Sequence, residues 1–96
     1  MEYFSLVKPP QSKVLKAGKV VLSPGESVGK HSTEKKEGII IVQKGTATIL
    51  EGQKTFLVKG GETHFIPENT VHDVQSKSRE PLEYFFVVSL FENSKE

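Results

Sequence analysis

Helical periodicity is poor along the whole chain, and turn residues interrupt it again and again. "SPGE", "KG", "EGQ", "KGGE", "PEN" and "KSREP" separate short apolar or alternating runs at intervals of roughly ten residues, the pattern of a sandwich or barrel. The fold class that follows is all-β. The expected strands cover 13–22, 27–32, 38–43, 46–51, 54–58, 63–66, 71–75 and 82–91.

Three of these runs say more than their existence. In "TATILEGQKTFLV", Glu51-Gly52 suits a tight hairpin because glycine accepts the positive φ such turns need, so its arms should pair antiparallel. "GIIIVQ" is apolar on both alternating faces, which predicts a central strand buried on both sides. "LEYFFVVSLF" sets Leu82, Tyr84, Phe86, Val88 and Leu90 on one face, enough for a core, and Phe85, Val87 and Phe91 on the other. That second apolar face predicts a homodimer interface, the alternative being cover by the N-terminal segment. The polar "ENSKE" end is expected to fray.

Composition narrows the class of partner. The 96 residues allow one compact domain over 1–96 with a modest core. Thirteen basic and twelve acidic residues are interspersed for a net charge of +1, so there is no broad positive field for nucleic acid or an anionic membrane. No apolar stretch approaches a membrane span and the first residues lack a leader pattern, so the expectation is a soluble, unsecreted protein. Without cysteine there is no disulfide, thiolate nucleophile or sulfur ligand, which suits a reducing cytoplasm and leaves nitrogen and oxygen as the donors for any metal.

Two segments stand out once spacing is counted. In "PGESVGKHSTEKKEGIIIVQKG", Gly25 is followed after five residues by His31, then Thr33, Gly38 and Gly45; in "GETHFIPENTVHDVQS", Gly61 is followed after five residues by Pro67, then Asn69, His72 and Ser76. Together they resemble the two motifs of the cupin family, over about 25–45 and 61–76. That resemblance implies a double-sheet jelly-roll β-barrel. It also implies where a metal would sit. Metal-binding members carry two histidines one residue apart and a glutamate in the first motif, and a third histidine in the second. His31 and His72 match. Thr33 stands in place of the second histidine and Gly38 in place of the glutamate, with Glu37 one residue early. Strand neighbours point to opposite faces, so Glu37 reaches the place of residue 38 only through a bulge; the plainer reading is a solvated charge beside Lys35 and Lys36. Asn69, where the family has a turn glycine, tolerates left-handed backbone.

His64 is the remaining candidate. If "PENT" closes a hairpin, His64 and His72 lie on neighbouring antiparallel strands and share the interior face within reach of His31. Three imidazoles would then suffice for a divalent metal (zinc, iron, manganese, nickel or copper) with open positions for substrate. The alternative is a barrel histidine hydrogen-bonded to backbone, Thr63 or Thr33. Asp73 follows His72 and should face away from it, and Glu83 is either surface or a paired buried acid. No "GxSxG" turn supports a serine triad, and "KGGE" has no helix after it to bind phosphate.

The function placed first is a barrel that binds a small molecule, a divalent metal or both, with catalysis left open, and three specific readings compete. One is a metal-dependent enzyme of dioxygenase or isomerase type. Another is a metal-free barrel holding a small polar molecule, such as a sugar or organic acid, against His31, Thr33, His64 and His72. The last is a scaffold or dimerisation module.

Overall fold

A computed structural model of the chain describes residues 1–89. Among them are nine strands and no helix: β1 (Glu2–Val7), β2 (Leu15–Leu22), β3 (His31–Ser32), β4 (Gly38–Lys44), β5 (Thr46–Glu51), β6 (Lys54–Lys59), β7 (Thr63–Ile66), β8 (Val71–Gln75) and β9 (Leu82–Ser89). They form two antiparallel sheets, one of five strands in the order β1-β2-β9-β4-β7 and one of four in the order β3-β8-β5-β6. This is the all-β double-sheet architecture of a jelly roll, and no helix of the described residues is long and apolar enough to cross a membrane.

The core lies between the sheets and follows from alternation. Val20, Leu22, Ile40, Val42, Ile66, Leu82 and Tyr84 point inward from the larger sheet, and Ala47, Ile49, Val58 and Val74 from the smaller. The inward face of β9 is the one its sequence predicts: Leu82 and Tyr84 are buried, and Phe86 packs against the core. Leu90 and Phe91 lie outside the described residues. Glu51 and Lys54 close the β5–β6 ladder across a two-residue turn with Gly52 at φ 58°. Gly45 ends β4 at φ 82°, where a Cβ would run into the Pro81 carbonyl oxygen, so the reversal there admits only glycine.

Three expectations need correction. The first strand, Glu2–Val7, adds an unforeseen edge to the larger sheet through β2. β4 is central in hydrogen bonding, flanked by β9 and β7, but it is not buried on both faces: Ile40 and Val42 are enclosed while Ile41 is 36% exposed on the outside. Most important for the site, β7 and β8 are not neighbours. β7 pairs with β4 in the larger sheet, and β8 pairs with β3 and β5 in the smaller, so "PENT" carries the chain across the sandwich instead of closing a hairpin. Asn69 makes that crossing in the left-handed region at φ 55°, its N–H donating to the Glu34 carbonyl.

Candidate functional site

β3 is two residues long, and its register with β8 sets His31 directly opposite His72. Residues opposite each other in an antiparallel pair share a face, and here it is the interior one. The imidazole centroids are 4.1 Å apart with the rings edge to face. His72 is 5% exposed, whereas His31 lies at the open mouth.

The backbone aims both rings. His31 Nδ1 lies 2.8 Å from the Gly29 carbonyl and His72 Nδ1 lies 3.1 Å from the Thr70 carbonyl. A carbonyl oxygen only accepts, so each Nδ1 carries the proton, and Nε2 is the ring nitrogen left for anything in the interior. Burial pushes the His72 pKa below its ordinary 6.5, outweighing the opposing effect of the Thr70 hydrogen bond. His72 is therefore neutral at neutral pH, and its Nε2 presents a lone pair.

The loops bearing these rings are tied down by groups with no motif role. Asp73 points away from the interior, as its sequence neighbour predicts, yet it is 5% exposed: one carboxylate oxygen accepts the Gly29 N–H at 2.8 Å and the other accepts from the Gln75 amide at 3.0 Å. Asp73 thus fixes the residue whose carbonyl holds His31. Thr33 Oγ1 donates to the Pro67 carbonyl at 2.7 Å and accepts the Thr70 N–H at 3.0 Å. In the place of a family histidine, Thr33 fastens the loop after β3 to the turn before β8. Glu37 is exposed at the surface, in line with a solvated charge.

His31 and His72 stand at one side of a cavity of about 350 Å³, which Ser32, Thr33, Glu34 and Lys36 also border. The rest of its lining is mostly apolar, with Val20, Ile40, Ile66 and Val88 among the aliphatics and Tyr3, Tyr84 and Phe86 as rings. Tyr3 stacks on Phe86 at 6.0 Å, and Gly18 beneath them makes this possible, since a Cβ there would come within 2.7 Å of the Tyr3 ring and 2.9 Å of Phe86. The apolar wall escaped sequence reasoning because it is assembled from strands far apart in the chain. Tyr84 and Phe86 were readable as inward-facing, but not as cavity-lining.

His64 does not join the other two histidines. Opposite Ile40 in the β4–β7 ladder, it faces the interior, but its Nε2 donates to Glu51 Oε2 across the sandwich and its ring lies 4.6 Å from that of Phe56. Both members of this pair are 14% exposed. Alternation from buried Ile49 would have placed Glu51 inward; the turn signal Glu51-Gly52 masked it.

The donor geometry tests the metal expectation. Divalent zinc, iron, manganese, nickel or copper centres take three or more protein ligands. Thr33 is occupied with backbone, His64 with Glu51, and Gly38 has no side chain. Among the described residues no group of three or more His, Asp or Glu side chains is placed to hold a metal ion. The side chains present do not fit such a centre.

Residues 18–88 match a sequence family described as Cupin domain. A mannose-1-phosphate guanylyltransferase of Salmonella typhimurium is 30% identical over 70 residues, which are 73% of this chain and 15% of that protein. One from Salmonella muenchen is 41% identical over 49 residues, 51% of this chain and 10% of that protein. The chain therefore spans less than a sixth of the curated relatives it matches. Among solved structures, a protein from Thermus thermophilus superposes with a TM-score of 0.84 at 20% identity, covering 93% of this chain and 82% of that one. An RmlC-like cupin family protein from Methanocaldococcus jannaschii gives 0.81 at 25% identity, covering 92% and 78%.

Proposed function

Because the chain belongs to the cupin domain family, a fold that hosts many activities, we propose that it is a small-molecule-binding barrel in which His31 and His72 fix the polar end of a ligand. The observation that carries this reading is the coincidence of two imidazoles, 4.1 Å apart and each anchored through Nδ1, with an apolar cavity of about 350 Å³. A concave, mostly apolar space with a few convergent polar groups is the usual form of a small-molecule site. No catalytic step follows from these groups alone. The test is a thermal-shift screen run in parallel on the wild-type chain and on Val88→Trp, which fills the cavity. A ligand bound only by the folded state raises the melting temperature, so genuine ligands should stabilise the wild type and leave Val88→Trp unmoved; equal shifts in both would defeat the reading.

A second copy of the chain is the proposed partner, seated on the outside of the larger sheet. There the register aligns Phe65, Ile39, Val87 and Ala17 in one row and Ile41 and Phe85 in the next, with Phe65 54% exposed. Lys19 lies over the Phe85 ring at 5.9 Å and pairs with Glu83 at 3.3 Å, so the face holds no uncompensated charge at its centre. A net charge of +1 sets little repulsion between two copies. A monomeric mass at micromolar concentration would remove this part of the proposal.

A further inference from the structure

We infer that the cavity ligand is an apolar, ring-sized molecule whose polar end is a hydroxyl that donates to the imidazoles, and not a sugar or an organic anion. This rests on the proposal that the cavity binds a small molecule at all, and it narrows the chemistry of that molecule from the groups that line the site.

The polar groups are few, and the two hydroxyls of the loop after His31 are engaged in the loop framework. Thr33 Oγ1 both donates and accepts within the loop framework, and Ser32 Oγ accepts the Glu34 N–H at 2.9 Å. The rest of the lining is the two histidines together with residues such as Val20, Ile40, Ile66, Val88, Tyr84 and Phe86. A pyranose carries hydroxyls around its whole ring. Each loses water on entry and needs a partner; the aliphatic side chains and Phe86 offer none, which leaves the Tyr3 and Tyr84 hydroxyls as the wall's polar atoms, fewer than a ring of hydroxyls needs. An apolar body has the opposite requirement, which the stacked Tyr3 and Phe86 rings and the branched side chains meet.

The polar end is set by the tautomers. With both Nδ1 atoms committed to carbonyls, Nε2 is the atom each ring has left, and on neutral His72 it is an acceptor whose complement is an O–H. A carboxylate is itself acceptor-only and would require His72 to take up a second proton in a site where burial disfavours the charge. At the mouth Glu34 and Lys36 both border the cavity, so the entrance lacks the one-signed charge that would draw an anion.

The test uses four probes with the isotope-labelled chain, followed by NMR through the side-chain signals of Ile40, Ile66, Val88 and His72. 4-Propylphenol has an apolar body and one O–H; 4-propylanisole is the same body without the donor; 4-propylbenzoate carries an anion; mannose 1-phosphate represents the sugar phosphates suggested by the curated relatives. The phenol should bind saturably at these residues, about tenfold more tightly than the ether, because the ether leaves a buried acceptor unpaired. The benzoate and the sugar phosphate should bind more weakly than the phenol. Tighter binding of either, or equal binding of phenol and ether, overturns the assigned class while leaving the cavity as a binding site. If none of the four moves the cavity signals, both the ligand class and the binding reading fall.

Discussion

Two histidine pairs share the interior of this barrel and have opposite characters. His31 and His72 stand side by side on one sheet, each with Nδ1 held by a carbonyl and Nε2 turned to an apolar cavity. His64 meets Glu51 from the opposing sheet, beneath Phe56, with both partners largely covered. The first pair is organised and chemically incomplete, needing something from outside. The second is complete within the protein. A histidine's role here depends on whether its last nitrogen is already satisfied, which neither its spacing nor its burial reveals.

The sharpest way to break this contrast is to remove one partner of the completed pair. His64→Ala leaves the Glu51 carboxylate enclosed without its donor and should cost about 3 kcal/mol in chemical denaturation. Replacing both at once, Glu51→Leu with His64→Phe, should recover most of that loss, since a well-packed apolar pair can substitute for a buried polar one. If the single and double variants are equally destabilised, the cross-sheet pair is not the completed unit described here. In the open pair the expected effect falls on binding: His72→Phe should weaken 4-propylphenol about tenfold while changing stability by less than about 1.5 kcal/mol.

Acid should separate the pairs further. The folded-state pKa of His72 lies below its ordinary 6.5, so the unfolded chain binds the proton first. Above 6.5 His72 carries no proton in either state and costs nothing. As pH falls below 6.5 and through the lower folded value, stability is lost, and below both values the loss is constant. His72→Phe should remove that component from a plot of unfolding free energy against pH, and an unchanged plot would show that His72 is not the group responsible. The smallest effect on stability is expected outside the barrel. On the proposed pairing of two copies, Phe65→Lys should yield a monomer in light scattering where the wild type gives a dimer, while altering the stability of the folded chain by about 0.5 kcal/mol or less.

The sequence carries most of the strands because each is a local pattern, although of the expected 27–32 only His31–Ser32 forms a strand. The alternation of Leu82, Tyr84 and Phe86 marks the core face of β9, and Asn69 announces a left-handed turn. It also carries the His31–His72 pairing through a family resemblance, since their positions in two motifs imply a shared interior face. The sheet assignment of β7 and β8 was not legible. A turn of the "PENT" kind serves a hairpin or a crossover equally well, and the choice depends on β7 finding β4, more than twenty residues earlier in the chain. That single misplacement directed His64 toward the metal reading. Glu2–Val7 was missed for a related reason: five of its six residues are exposed, so no buried stripe marks it, and only pairing with β2 makes it a strand.

The central claim, that the open pair receives a ligand and the closed pair does not, is tested most directly by following all three imidazoles in one experiment. Long-range proton–nitrogen NMR spectra of the labelled chain, recorded during titration with 4-propylphenol, report each ring nitrogen separately. The Nε2 signals of His31 and His72 should move together to saturation with one dissociation constant, while the His64 Nε2 signal stays with Glu51. A titration that moves His64 with the others, or leaves His31 and His72 unmoved while the phenol binds elsewhere, would contradict the account.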